Sequence, residues 1–310
     1  MPSYQEVAIV VGASRGIGRQ IAVDLAKDGY AVVIAAKTTS DASKCSPFPP
    51  DPNSSSSTIN TVVREITEAG GEASAIQLDV RDFGDIQSMV DQTAKKYGRI
   101  DVLVYNSGAI WWSSVEKTPM KRFQLMQRIN PEGFYGCVQA CLPYMYQNGG
   151  KGKGRIVVVS PPIYRRFLKG KTAYAMGKWA MSALTMGLSV DFEREERTEM
   201  AITSLWTGAG INSAATQGAQ TDRKELRKPT IFSDAVRAIL KAPPSDVSGR
   251  CLVDDVFLRE HEGIQDLSKY SLVPGATPRR MMPAQFPDLR VEEEDDEGNR
   301  MDSTAIRAKI

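Results

Sequence analysis

A doubly wound α/β sheet of seven parallel strands, with helices on both faces, is the fold this sequence predicts, and three observations predict it. Seven short apolar, β-branched runs recur along the chain: EVAIVV, YAVVIAA, SAIQLDV, IDVLVYN, RIVVVS, MAITSLW and RCLVDDV. Each is continuous rather than alternating, which marks strands buried on both faces. Between them lie amphipathic stretches that can cross back over a sheet, and a glycine-rich turn directly follows the first run. Right-handed crossovers then make the first strand central and put a ligand crevice at the carboxyl ends, where strand order reverses.

The first strand leads into Gly12-Ala13-Ser14-Arg15-Gly16-Ile17-Gly18, which opens the helix IGRQIAVDLAKDG. Glycines let the backbone turn sharply and approach a pyrophosphate, whose charge is favoured at a helix N-terminus. The spacing is G-x-x-x-G-x-G rather than the G-x-G-x-x-G of the general dinucleotide fingerprint. The second strand ends in Ala36-Lys37, with no carboxylate to hold the ribose hydroxyls of NAD. Lys37 and Arg15 can instead pair with a 2′-phosphate, so the predicted cofactor is NADP(H). The plainer account of both cations is a solvated surface. Residues 38–57, TTSDASKCSPFPPDPNSSSS, are too rich in Ser and Pro for a helix or strand and predict a long loop.

Asp79 and Val80 end the third run, where a carboxylate can accept from an adenine amine. Asn106-Ser107-Gly108 ends the fourth, a small-residue turn that gives a cofactor close access to backbone. Taken alone, either is ordinary strand-end chemistry. Next comes the helical segment KRFQLMQRINPEGFYGCVQACLPYM, in which Pro131 follows Asn130. Proline disfavours helix at the residue before it and removes a donor, so a kink there frees a carbonyl or admits a water.

Ser160 closes the fifth run, and Tyr174 and Lys178 lie four apart in the helical stretch KTAYAMGKWAMSALTMGL. That step puts a phenol and an ammonium on one face, where the cation favours ionisation of the phenol. Alone, Tyr-x-x-x-Lys is a pattern that chance supplies often. Residues 207–229 after the sixth run, TGAGINSAATQGAQTDRKELRKP, are small and polar and read as a lid over the crevice. Residues 1–290 read as one domain. Residues 291–310 begin with an acid run that repels itself and read as a flexible tail.

Composition narrows the function classes. A net charge of +2, with 25% charged and 42% hydrophobic residues, argues against nucleic-acid or membrane partners. No run approaches the length of a membrane span, and the start carries no secretion signal, so the protein is expected to stay inside the cell. Cys45, Cys137, Cys141 and Cys251 fit a reducing compartment, with Cys137 and Cys141 read as small core side chains. The lone histidine, His261, stands apart from every cluster, so no metal site is expected.

Together, the glycine turn, Asp79-Val80, Asn106-Ser107-Gly108, Asn130, Ser160 and Tyr174-x-x-x-Lys178 resemble the short-chain dehydrogenase/reductase family over roughly residues 5–258. Within it, AAKTTS, VVSPP, LWTGAGINSAA and VDDVFLREHEGIQDLSKYSLVPG are similar to the hydroxysteroid dehydrogenase-like protein 2 group. Members of that group in animals can carry a sterol-carrier domain, which these 310 residues do not include. The resemblance implies a Rossmann sheet and hydride transfer between nicotinamide and a carbonyl or alcohol. It implies that Tyr174 is the general acid and base and that Ser160 hydrogen-bonds the substrate oxygen. Lys178 would bind the nicotinamide ribose and depress the Tyr174 pKa, Asn130 would hold a relay water, and Ile211 and Ser213 would lie near the carboxamide. It further implies a homodimer or homotetramer formed through the helices bearing Asn130 and Tyr174.

The chain departs from the family pattern at three places. Val11 replaces a threonine, Tyr105-Asn106-Ser107-Gly108 replaces Asn-Asn-Ala-Gly, and Thr207-Gly208 replaces Pro-Gly, which bears on lid geometry. Trp111, Trp112, Tyr164, Phe167 and Trp206 follow strand ends facing the crevice and can line an apolar substrate pocket or pack as ordinary lid or interface residues. Lys151, Lys153, Arg155, Arg165, Arg166, Lys169 and Lys171 bracket the fifth run, as a solvated rim or as partners for an anionic or acyl-CoA substrate. Ala308-Lys309-Ile310, preceded by Arg307, resembles the Ser-Lys-Leu peroxisomal address, leaving peroxisome and cytoplasm as alternatives. Besides a carbonyl reductase, an imine or polyketide-intermediate reductase and an idle NADP-binding sensor or scaffold fit the same motifs.

Overall fold

The computed structural model describes residues 6–218 and 221–289. Strands β1 (Val7–Val11), β2 (Ala31–Ala36), β3 (Ala73–Gln77), β4 (Val102–Tyr105), β5 (Gly154–Val159), β6 (Met200–Trp206) and a short β9 (Cys251–Val253) form one sheet in the order β3-β2-β1-β4-β5-β6-β9. Every neighbouring pair is parallel. The chain winds outward from β1 in one direction and then, after β3, in the other, which makes the β1–β4 seam the reversal point. Val11 is in register with both Ala35 and Tyr105, so three strands end level with one another there.

Helices cover both faces. On one side α1 (Gly16–Lys27), α2 (Ile59–Glu68), α8 (Thr230–Lys241) and α10 (Asp254–His261) enclose a core with Val10, Ile34, Phe232 and Val236. On the other, α3 (Phe83–Tyr97), α5 (Gly133–Met145) and α6 (Thr172–Arg194) enclose Ile9, Leu103, Phe134 and Ile202. Local chemistry sets the helix ends. The Asp82 carboxylate accepts from Gly84 N and Asp85 N at the start of α3, and Gly98 at φ 78° ends it. Thr58 and Thr61 cap α2 reciprocally. Cys137 and Cys141 are fully buried on α5, and burial pushes the Cys141 thiol up to about 12.

The third and seventh predicted runs give way to turn and helix before they end. The third stops at Gln77, and Asp79 turns the chain by accepting from Arg81 N. The seventh stops at Val253, and Asp254-Asp255 become the first turn of α10, where the helix dipole favours acids.

Residues 38–57 carry a single 3-10 turn, Ala42–Lys44. They are firmly held: Gly16 N donates to Pro52 O at 2.8 Å, Ser57 Oγ to Ser14 O at 2.7 Å, and the Arg64 guanidinium lies 3.8 Å from the centre of the Phe48 ring. After β6 the chain forms β7 (Gly210–Ile211), the short α7 (Ala214–Gly218) and β8 (Leu226–Arg227), with β7 and β8 paired. The 291–310 tail and the carboxyl-terminal tripeptide lie outside the described residues. No helix among the described residues is long and apolar enough to cross a membrane.

Candidate active site

A cleft of about 410 Å³ opens at the carboxyl ends of β1, β2, β4 and β5. Gly12, Ser14, Arg15, Gly16 and Ile17 line it from the glycine turn; Lys37 and Thr38 lie at one end, Tyr174 and Lys178 at the other. Asn106, Ser107, Gly108, Ile110, Trp206, Thr207 and Ser213 complete the walls. The turn is built for backbone contact. A Cβ on Gly12 would fall 2.7 Å from Ser107 N, and one on Gly18 would overlap Gly12 O. Gly12 and Gly16 take φ values of 81° and 56°, which only glycine adopts without strain. Asn106 Nδ2 donates to Gly12 O at 2.9 Å, so this asparagine joins the two turns despite the altered residues beside it. A bare-backbone cradle at a helix N-terminus, flanked by two cations, fits a dinucleotide phosphate.

Tyr174 and Lys178 both face inward from α6 and are 3% exposed. Lys178 Nζ donates to Val159 O at 2.7 Å, and a Cβ on Gly108 would lie 3.4 Å from it. Burial lowers the Lys178 pKa from 10.5 to about 7 and raises that of Tyr174 well above its ordinary value. Both shifts have one cause, removal from water, which disfavours the charged form of each group.

Asn130 is fully buried, and its carboxamide closes on the backbone of Ala109, accepting from N at 2.9 Å and donating to O at 3.1 Å. The kink expected at Pro131 is a π-turn, Arg128–Glu132. Gly133 N bonds to Arg128 O and Asn130 O, so Ile129 O loses its helical donor and accepts instead from the Tyr105 hydroxyl. That hydroxyl is what tyrosine contributes at a position where the family pattern has asparagine.

Ser160 directly follows β5. It is fully buried and is not among the cleft-lining residues. Its hydroxyl lies 2.8 Å from that of Ser204 and accepts from Ser182 Oγ at 3.1 Å. Ser182 also donates to Pro161 O at 2.7 Å, and Ser204 to Ser160 O at 2.6 Å. The cluster ties the end of β5 to β6 and α6, one residue beyond Val159, which receives Lys178.

Asp79 and Val80 also lie off the cleft. Asp79 pairs with Arg81 at 2.5 Å and Lys37 at 3.0 Å, and these bonds hold its carboxyl far below the usual carboxylate range, Arg81 contributing most. Lys37 is thus shared between the cleft and a carboxylate, whereas Arg15 makes no ion pair among the described residues. Ser213 lines the cleft; Ile211 is buried in the core beside it.

Of the predicted apolar lining, Trp206 alone borders the cleft. Trp111, Tyr164 and Phe167 pack with Tyr174 in one cluster, Phe167 being 2% exposed and so core rather than wall. Trp112 is 60% exposed, with its ring 6.3 Å from that of Tyr174. The basic residues divide: Lys153 and Arg155 sit at the amino end of β5 on Glu6 and Glu199 O, far from the chemistry. Lys171 stays near it, with Nζ 4.4 Å from the Phe167 ring centre and 5.3 Å from that of Trp112.

Sequence reasoning missed the base of the 207–229 segment. Gly208 N donates to Asp254 Oδ1 at 2.8 Å, and a Cβ on Gly208 would lie 2.5 Å from the Asp255 carboxylate, so glycine is obligatory there. Asp255 meets Arg227 at 3.3 Å and Arg280 at 3.1 Å. Asp254 is fully buried, one of its oxygens has no partner, and burial followed by repulsion from Asp255 raises its pKa to about 7. The available signal was a pair of adjacent carboxylates at the end of an apolar run.

Residues 6–47 and 53–223 match the family model described as short chain dehydrogenase. The hydroxysteroid dehydrogenase-like protein 2 of Xenopus tropicalis is 37% identical over 270 residues, covering 86% of this chain and 60% of the relative. The chain therefore spans about three fifths of that relative's length. A short chain dehydrogenase from Mycobacterium thermoresistibile matches with a TM-score of 0.75 and 34% identity over 87% of this chain and 92% of its own. A 7α-hydroxysteroid dehydrogenase solved with NADH and 7-oxo glycochenodeoxycholic acid matches at 0.64 and 25% identity, covering 81% and 93%.

Proposed function

The chain belongs to the short-chain dehydrogenase/reductase family of oxidoreductases, and on that premise we propose that it interconverts a carbonyl and an alcohol with NADP(H), using Tyr174 as general acid and base. The observation that carries the proposal is the placement of Tyr174 and Lys178 in the same cleft as the glycine turn. NADP(H) supplies the hydride when bound. Tyr174 gives its phenolic proton to the oxygen of the carbonyl as charge develops there, and burial keeps that proton on the phenol until it is needed. Lys178, with a pKa near 7, refills it. Asn130, whose Oδ1 would lie 3.5 Å from the same added Cβ on Gly108, is proposed to hold the water that connects Lys178 to solvent. Ser160 acts as a positioning residue through Val159.

Arg15 and Lys37 at the far end of the cleft support a 2′-phosphate and hence NADP(H). Trp206 and Ile110 at the Tyr174 end support an apolar substrate. Exposed Tyr135 on α5 and Met176 on α6, at 55% and 51%, support self-association through these helices. A peroxisomal or cytoplasmic setting rests on Ala308-Lys309-Ile310. The test is NADPH oxidation over a panel of carbonyls and imines with Tyr174→Phe beside it. Loss of about a hundredfold or more in the variant is expected; full activity in the variant removes Tyr174 from the chemistry, and tight NADPH binding without turnover favours a sensor.

A further inference from the structure

The loop of residues 38–57 delivers one side chain to the glycine turn. Gly16 N donates to Pro52 O at 2.8 Å and Ser57 Oγ to Ser14 O at 2.7 Å, so the residues between these two bonds are held along the turn. Within them Asp51 organises a tight bend: its carboxylate accepts from Asn53 N at 2.8 Å and its carbonyl from Ser54 N at 3.0 Å. Asn53 is thereby set against Gly16 and is 5% exposed. A Cβ on Gly16 would lie 3.4 Å from Asn53 Oδ1 and 3.5 Å from Ser213 Cβ, so the loop, the turn and the segment after β6 meet at one point. Gly16 and Ser213 both line the cleft.

Asn53 Oδ1 is buried and has no hydrogen-bond partner among the described residues. Ser213 does not satisfy it, since the Ser213 N and Oγ are turned to Thr216 Oγ1 at 2.9 and 3.5 Å. Buried polar atoms in folded chains are nearly always paired, and one left unpaired beside a ligand cleft is accounted for by a group that arrives with the ligand. Nothing ties the carboxamide oxygen in place, and a half-turn about χ2 exchanges it for the amine. We infer that Asn53 is a cofactor-binding residue, its carboxamide donating to the pyrophosphate that the glycine turn receives. The inference rests on the reading of this cleft as a dinucleotide site. Pyrophosphate offers only acceptors, so the amine end faces it, whereas a carboxylate at position 53 would repel it. The pyrophosphate is common to NADPH and NADH, so Asn53 governs affinity for both and leaves the choice between them to Arg15 and Lys37.

Dissociation constants of NADPH and NADH, measured by calorimetry on the full chain, test this without turnover. Asn53→Ala should weaken both by about tenfold, the scale of one hydrogen bond to a charged group. Asn53→Asp should weaken both by about a further tenfold or more, because it sets like charges together. Ligand-free Asn53→Ala should melt within about 2 °C of the parent, since the buried oxygen it removes has no partner to lose. Affinities of Asn53→Ala within about twofold of the parent, a loss for NADPH alone, or an Asn53→Asp that binds as tightly as the parent would each overturn the role. A lower melting temperature in ligand-free Asn53→Ala would overturn it too, by making the side chain part of the loop's own structure. If the parent binds neither dinucleotide, the reading of the cleft falls and Asn53 with it; if the parent binds both and Asn53→Ala binds them unchanged, the reading stands and Asn53 alone falls.

Discussion

The hydroxyl of Ser160 lies 2.8 Å from the hydroxyl of Ser204, inside a buried serine cluster. Removing a hydrogen-bond donor to a developing oxyanion ordinarily costs about 10²- to 10³-fold in turnover. Ser160→Ala should cost less than about tenfold here, and should destabilise the fold by roughly 1–2 kcal/mol through the partners it leaves unpaired. Steady-state kinetics and denaturant melts on Ser160→Ala and Ser204→Ala check this. A hundredfold fall confined to Ser160→Ala would show that its hydroxyl turns to the substrate.

Cofactor preference is expected to depend on Asp79 as well as on the cations. Lys37, with its side chain 60% exposed, is paired to Asp79 at 3.0 Å. Its removal should weaken NADPH by roughly tenfold or less, since exposed pairs are strongly screened. Arg15→Ala should weaken NADPH more, and Asp79→Asn should tighten it by releasing Lys37. Titrations of NADPH and NADH against the three variants read this directly; parallel shifts for both cofactors would remove the 2′-phosphate from this end of the cleft.

Asp254 gives the stability a definite pH dependence. Its folded pKa, about 7, lies above the unfolded value of 3.8, so the folded state binds the extra proton between those limits. Its contribution is fully favourable below about pH 4, is lost as pH rises toward 7, and is constant beyond. Asp254→Asn keeps an acceptor for Gly208 N and removes the charge. Urea melts from pH 5 to 8 should therefore show wild type losing stability relative to the variant up to pH 7; a constant difference over that range would contradict the assignment.

Lys178 has the opposite sign. Its folded pKa of about 7 lies below the ordinary 10.5, so the unfolded chain binds more protons between those values and the penalty for burying Lys178 fades as pH rises. Relative to Lys178→Met, wild type should gain stability from pH 7 to 10. Turnover of Lys178→Met should fall by about a hundredfold or more if Lys178 supplies the proton that Tyr174 loses.

The strand runs, the glycine turn and the Tyr174-Lys178 pair were legible because each is a local pattern whose meaning survives folding. The hydrogen-bond partners of Ser160 were not, since they are Ser182 and Ser204, which sequence places 22 and 44 positions away. Asn53 sits in an irregular stretch without periodicity, and its place beside Gly16 depends on Pro52 O receiving Gly16 N. Asp254 and Asp255 were read as strand because burial looks the same along an apolar run, whether the chain continues as β or turns into a helix.

Residues 38–57 have the composition of a linker, yet Pro52 O accepts from Gly16 N, and Ser57 reaches Ser14 O. The conformational entropy of this segment is surrendered when the chain folds. Ligand capture at the glycine turn consequently carries little ordering cost of its own, and the affinity of that end of the cleft follows the balance of charge among Arg15, Lys37 and Asp79.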